Sequence, residues 1–429
     1  MVATGRAAPR PTLAELTGEH PDYDPQALSA SQAQALIAAF VAPCCELEQL
    51  PIGDALERVL GDEVISPIDV PAHDNSAMDG YAVRSADLGS AGATRLRVVA
   101  RALAGQPSTI ALGAGEAIRI MTGAVIPAGC DTVVVQEAVA VDGDFISIPP
   151  GQRLGQHLRR RGEDLRADEA ALPAGKILTP ADIGLLASLG IATVAVRRRL
   201  RVAFFSTGNE VRSIGEPLAA GQLYDSNRYT IAAMLRRLGA EPIDLGVVRD
   251  DPRALEETML EASRRADAII SSGGVSVGEA DYTRPVLKRL GEVEFWKLAI
   301  RPGRPMAFGR IGDACYFGLP GNPVAVMITF YFFARGALLR MMGASPQRLP
   351  LVRARALTAL RKIPGRTEYL RGSLQLGADG AMEVSGSAGQ GSGVLRSMSE
   401  ADCVIVLGER QGNVAAGDLV DCVAFHGLT

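Results

Sequence analysis

Two adjacent glycines, Gly273 and Gly274, close a short apolar run, Ala268-Ile269-Ile270, and open a loop containing Ser271, Ser276, Gly278, Glu279 and Asp281. The run reads as a buried strand. The glycines let the backbone turn sharply and approach a ligand closely. Hydroxyls and free N–H groups in such a turn suit an anion such as phosphate. Two carboxylates beside a phosphate would repel it unless a cation lies between them. Mg²⁺ is the usual cation, since it is held by one or two carboxylates together with phosphate oxygens.

A positive cluster follows. Lys297 and Arg301 stand four residues apart along an expected strand and its end, which predicts one shared face. Arg304 comes after the turn Arg301-Pro302-Gly303. Three cations near a glycine turn fit an anionic ligand. Further loops carry usable groups: Ser206-Thr207-Gly208-Asn209-Glu210, Asp250-Asp251, and Leu319-Pro320-Gly321-Asn322-Pro323. Earlier in the chain, residues 74–81 hold Asp79, residues 121–124 hold Thr122, and the basic run 158–165 ends on Asp164 and Leu165. Taken singly, these earlier loops are ordinary polar turns.

Elements that position these groups follow from periodicity. Residues 200–346 alternate strand and helix, which predicts a parallel sheet flanked by helices. Ligands bind beyond the carboxyl ends of such strands. The loops at 206–210, 250–251, 271–281 and 319–323 all fall at that edge. Residues 63–149 form short alternating strands separated by turns, and 351–429 does so again. Helices are expected from Ser31, from Pro51 to Gly61, and from Pro180 to Gly190. The reading is a multidomain α/β chain. Residues 1–28 form a loose tail, 29–62 with 150–196 a small discontinuous helical domain, and 63–149 an inserted β-rich domain. Residues 197–346 form a three-layer α/β sandwich, and 347–429 a C-terminal β-barrel whose loop at 389–393 is mobile.

Composition narrows the class. A length of 429 residues suits roughly three domains. A net charge of −4 offers no basic footprint for nucleic acid. Six cysteines show no paired spacing, as expected in a reducing compartment, and four scattered histidines argue against a histidine zinc site. No basic-then-apolar leader is visible, and the longest apolar run, 324–334, is about half a membrane span. A cytoplasmic protein without membrane contact is expected.

Seven segments then occur in order: DNSAMDGYAVR, IRIMTGA, RRRGEDL, STGNE, SSGGVSVGEADYT, WKLAIRPGRP and LPGNPV. Together they resemble the molybdopterin molybdenumtransferase family, the molybdenum insertases, which is similar to the C-terminal domain of gephyrin. The resemblance covers nearly everything after residue 30. It implies a Mg²⁺-dependent reaction in which adenylated molybdopterin and molybdate enter, molybdenum is placed on the dithiolene, and AMP leaves. It also implies a homodimer with sites shared between subunits, so that Asp79 and Thr122 complete the partner's site. Proteins of molybdopterin synthesis and adenylylation are implied as partners.

Under that resemblance Lys297, Arg301 and Arg304 clamp oxyanions, and the loop with Ser271, Gly273, Gly274, Ser276 and Gly278 holds the pterin's terminal phosphate. Pro320 and Pro323 border the substrate. Glu210, Asp250, Asp281 and Asp79 are the candidate Mg²⁺ ligands, and Asp164 with Asp79 positions metal or water. Catalytic roles fall to Asp79, Thr122, Asp164, Lys297 and Arg301. Asn209 replaces an Asp common in relatives, and Arg301 and Arg304 replace lysines, which changes how an anion is seated. Alternative readings are a molybdopterin adenylyltransferase, which resembles only the α/β domain, and a non-catalytic scaffold on the same fold. Molybdate and tungstate are not distinguished.

Overall fold

The computed structural model describes residues 11–18, 23–275, 282–347 and 349–427. The chain divides into two compact units. One comprises the described residues of 1–61, 175–179 and 194–429, the other those of 62–174 and 180–193.

The first unit is built on a six-stranded sheet. Its strands are β1 (Arg201–Thr207), β2 (Glu241–Val248), β3 (Ala268–Ser272), β4 (Gly291–Lys297), β5 (Pro305–Ile311) and β6 (Ala314–Leu319). Their order is β2-β1-β3-β6-β5-β4. Pairing is parallel from β2 to β6 and antiparallel from β6 to β4, so one strand of the expected parallel sheet, β5, runs reversed and the edge strand β4 returns to the common direction. Alternate residues face opposite layers. Val202, Phe204 and Ile270 join one buried cluster, while Ala203, Phe205 and Ile269 join the other. This is the two-sided burial that a central strand demands.

Helices cover both faces. α1 (Ser226–Arg237) is capped by Asp225, and α2 (Pro252–Arg265) by Asp251 with Pro252 in its first turn. The first supplies Ile231 and Leu235 to one cluster, the second Leu255 and Met259 to the other. α3 spans Thr283–Leu290. The apolar helix Pro323–Met341 is buried over 83% of its most hydrophobic stretch. It passes through a π turn at Phe330–Ala334. There Phe332 stacks on Tyr369 with ring centroids 4.2 Å apart.

Tyr369 belongs to the C-terminal barrel. Strand Thr367–Leu376 pairs with both Met382–Gly386 and Cys403–Leu407, which closes the ring through Leu351–Ala356 and Leu419–Ala424. Closure removes the exposed edges.

Three local expectations change. The tail is in part built into the core: Leu13 on helix Leu13–Gly18 is 1% exposed, and Leu28 bridges to Leu298. Burying Leu13 outweighs a polar local composition. Helix Ala30–Phe40 is capped by Ser29, two residues before the expected cap Ser31, because Ser29 and Gln32 form the capping box. No helix runs from Pro51 to Gly61. Only the turn Ile52–Asp54 is helical, and the Leu60 and Gly61 backbone pairs with Val196 and Ala195 instead. Tertiary pairing overrides helix propensity there.

The second unit holds its own six-stranded sheet, ordered Thr132–Val135, Gly80–Val83, Glu116–Ile120, Thr94–Ala102, Phe145–Ile148, Ala140–Asp142. Tyr81, Val83 and Leu96 bury one face, and Ala82, Ile118 and Ile120 the other. Helix Pro180–Ser188 belongs to the same unit. The chain is thus a multidomain α/β protein with a curled sheet, a discontinuous helical region and a closed C-terminal barrel.

Candidate functional site

A cleft of about 1070 Å³ opens at the carboxyl edge of the parallel strands. Glu210, Asp250, Gly273, Gly274, Arg301, Pro320 and Pro323 all line it. Glu210, Asp250, the pair Gly273–Gly274 and the segment of Pro320 and Pro323 follow β1, β2, β3 and β6, and they meet at one edge because those parallel strands end together.

The glycine turn is demanded sterically. Gly273 has φ +91° and Gly274 φ +65°. A Cβ on Gly273 would lie 2.6 Å from the Thr207 carbonyl oxygen. The turn is tied down where the Gly273 N–H donates to the Leu319 carbonyl at 3.1 Å. Beside it the Thr207 hydroxyl donates to Asp250. Asp250 is free to accept because the neighbouring Asp251 does the capping of α2.

Arg301 supplies the cleft's positive charge. It lies on the short strand Ile300–Arg301, paired in parallel with the barrel strand opposite Glu368. The Glu368 carboxylate, 2% exposed, stands 3.9 Å from Arg301 and accepts from Arg366 at 3.1 Å. The expected shared face of Lys297 and Arg301 does not form. β4 ends at Lys297, whose N–H and carbonyl bond to Pro25 and Leu28, and Arg301 enters a different sheet. Alternation fails where a strand stops between the two residues. Lys297 and Arg304 are not among the residues lining the cleft. Ser271 turns inward, with its hydroxyl 2.6 Å from that of Tyr316. Ser276, Gly278 and Asp281 lie outside the described residues.

The loop at 389–393 forms the remaining wall. It was expected to be mobile, yet it is fastened. Arg371 donates to the Gly389 and Gly391 carbonyls, the Gln390 amide pairs with the Arg371 backbone, and Asn322 Nδ2 donates to the Ser392 hydroxyl at 3.0 Å. Glycine and serine content suggested looseness. A buried guanidinium in the barrel wall reverses it.

Sequence reasoning missed Asp225 and Asn227. Asp225 is 3% exposed and lines the cleft. Its Oδ1 accepts from the Ser206 hydroxyl and the Arg228 N–H, both at 3.0 Å, while Oδ2 has no hydrogen-bond partner among the described residues. The signal available was Asp-Ser-Asn directly before a helix. It reads as a cap and nothing more.

In the second unit Asp79 and Thr122 do meet. Asp79 Oδ1 accepts the Thr122 N–H at 2.7 Å and its hydroxyl at 2.8 Å. These bonds, the N–H first, hold the Asp79 carboxyl below its ordinary value, so it stays ionised at neutral pH. Asp164 is exposed in a separate turn, where its N–H donates to the Val70 carbonyl at 3.0 Å. Neighbouring acids are pinned likewise: Arg160 and the Arg161 N–H bind Asp74 at 2.8 Å each.

Among the described residues no three His, Cys, Asp or Glu side chains converge as a metal cluster. The cleft's donors are nonetheless of the hard-cation type. Glu210, Asp225 and Asp250 offer carboxylate oxygens, although the buried Asp225 Oδ2 is ion-paired with Arg228 at 3.5 Å.

Three family models match the chain. They are a probable molybdopterin binding domain over residues 203–340, the MoeA N-terminal region (domain I and II) over 28–190, and the MoeA C-terminal region (domain IV) over 353–425. Fold and cleft therefore define a multidomain molybdopterin-binding protein. A molybdopterin molybdenumtransferase of Haemophilus influenzae is 42% identical over 388 residues, 89% of this chain and 95% of the relative. One of Mycobacterium tuberculosis, molybdopterin molybdenumtransferase 2, is 36% identical over 91% of this chain and 97% of its own length. Gephyrin of Dictyostelium discoideum is 31% identical over 88% of this chain, which spans 59% of gephyrin. The crystal structure of a molybdopterin biosynthesis moeA protein from Pyrococcus horikoshii superposes with TM-score 0.82 at 27% identity, covering 93% of this chain and all of that one. The chain belongs to the MoeA family of molybdopterin molybdenumtransferases, homologous to the C-terminal region of gephyrin, and is a transferase of molybdenum-cofactor biosynthesis.

Proposed function

We propose that the chain takes molybdenum from molybdate into adenylated molybdopterin, with Mg²⁺-dependent hydrolysis of the phosphoanhydride and release of AMP. The observation that carries this reading is the single cleft in which a glycine turn, the cation Arg301 and the carboxylates Glu210 and Asp250 meet. Its volume accommodates a nucleotide-sized ligand.

Water attacks phosphorus, the P–O–P bond breaks, and molybdopterin phosphate and AMP separate. One molybdate oxygen takes the two dithiolene thiol protons and leaves as water while two Mo–S bonds form, with molybdenum staying at oxidation state VI. The glycine turn at Gly273–Gly274 receives the terminal phosphate, with the Gly273 N–H held by the Leu319 carbonyl, and Arg301 offsets charge on the oxyanions. Glu210 and Asp250 are the described cleft residues that would hold Mg²⁺ together with phosphate oxygens, with Asp281 as a further candidate. The ion would neutralise phosphate charge.

The working form in this reading is a cytoplasmic homodimer, with Asp79, Thr122 and Asp164 of one subunit completing the other's site. Proteins that make and adenylylate molybdopterin are its expected partners. The test is anaerobic turnover of adenylated molybdopterin with molybdate, following AMP and cofactor. ATP consumption with free molybdopterin, and no AMP release from the adenylated form, would favour an adenylyltransferase instead.

A further inference from the structure

Asn227 sits in the first turn of α1, behind the Asp225 cap, and lines the cleft. Its Nδ2 donates to the Ser272 hydroxyl at 2.8 Å and to the Gly321 carbonyl at 2.6 Å. Ser272 is the last residue of β3, immediately before the glycine turn, and Gly321 lies in the loop between β6 and the apolar helix. The amide therefore spans two adjacent loops, after the paired strands β3 and β6, that both line the phosphate end of the cleft. They run close together: a Cβ on Gly321 would lie 3.9 Å from the Gly273 Cα. The Ser272 hydroxyl continues the strap to the Pro320 carbonyl at 3.3 Å.

The amide's orientation is dictated. A carbonyl only accepts, so the nitrogen end must face Gly321. Oδ1 is thereby left buried, with no hydrogen-bond partner among the described residues. An apolar side chain of the same size would remove that unpaired acceptor and suit the fold better. Gly321 is exposed, so water could satisfy its carbonyl in the absence of Asn227. Fold stability thus gives little reason for an asparagine here. Fixing the separation of the two loops does.

We propose that Asn227 is a positioning residue that sets the width of the phosphate-binding end of the cleft by strapping Ser272 to Gly321. The inference rests on the proposed function, in which that end receives the terminal phosphate of adenylated molybdopterin. In that reading Asn227 acts through the loops it joins.

The test compares full-length wild type with Asn227→Leu and Asn227→Asp, measuring thermal unfolding and the steady-state release of AMP from adenylated molybdopterin. Asn227→Leu is expected to melt within about 2 °C of wild type or above it, yet to lose about tenfold or more in kcat/KM, since loop misplacement of about 1 Å is that costly. Asn227→Asp is expected to lose more, because a carboxylate faces the Gly321 carbonyl with acceptors only. Wild-type kcat/KM in Asn227→Leu overturns the proposal, as does a loss accompanied by a large fall in melting temperature. Should wild type release no AMP, the proposed function fails instead. Calorimetric binding of inorganic pyrophosphate then decides the strap: a tenfold weaker Asn227→Leu supports it, and equal affinity overturns it.

Discussion

The Arg371 guanidinium reaches out of the barrel wall and holds the Gly389 carbonyl at 2.7 Å and the Gly391 carbonyl at 3.0 Å. Arg371 is fully buried, and its Nε also donates to the Ser397 hydroxyl at 3.1 Å. One side chain therefore converts a glycine-rich loop into a fixed wall of the cleft. Charge-assisted bonds of this kind are about twice as strong as neutral ones.

Replacing Arg371 by Met is expected to free the loop. Hydrogen bonds to charged groups contribute about 1.5–3 kcal/mol each, so destabilisation of roughly that size per bond should appear as a lower urea midpoint. Limited proteolysis should newly cut within 389–393. A variant as resistant as wild type would show that the loop is held by something else.

Arg301 is the exposed member of its pair with buried Glu368, with 57% of its side chain accessible against 3%. Arg301→Ala should raise KM for the anionic substrate about 10–100-fold, equivalent to one or two lost charge-assisted bonds. Arg301→Lys keeps the charge but not the fork, so its loss should be smaller. Both effects should shrink as salt is added. Steady-state kinetics at two ionic strengths will check this, and an unchanged KM in the alanine variant would remove Arg301 from the binding site.

Asp79→Ala deletes the carboxylate that accepts the Thr122 N–H and hydroxyl. Sedimentation is expected to give the same oligomeric state as wild type, while cofactor formation is abolished. Retained activity in that variant would overturn the assignment of a shared site to Asp79.

Asp267 ties the start of β1 to the start of β3. Arg198 grips both its oxygens at 2.7 and 2.8 Å, and the Arg201 N–H donates at 2.8 Å. Burial alone would raise its carboxyl, but these bonds and the two guanidinium charges hold it below the ordinary value. A depressed folded-state pKa contributes stability above the unfolded value of about 3.9. That stability is lost as the pH falls through the folded value. Asp267→Asn should lower the unfolding free energy from urea denaturation at pH 7 by about 1–3 kcal/mol. The gap to wild type should close as the pH drops below about 4. A gap independent of pH would mean the pair contributes through packing rather than charge.

Much of the site's scaffold was legible in order along the chain. Ala268-Ile269-Ile270 could only be a buried strand. Asp251-Pro252 reads as a helix start, and Gly273-Gly274 as a turn. These are local matters: alternation, caps and the conformational freedom of glycine decide them within a few residues. The carboxyl-edge location of the loops followed from the α/β alternation alone.

What the residues by themselves determined, then, is which turns carry chemistry and at which edge of a sheet they emerge, because short-range sterics and hydrophobic period dictate both. Only the tertiary structure decided that Lys297 and Arg301 part company, that Asn227 bridges Ser272 and Gly321, and that Arg371 locks residues 389–393. Each of these depends on a backbone carbonyl or strand distant in sequence. Such partners are chosen by how packed layers come to rest against one another, and no local pattern encodes that choice.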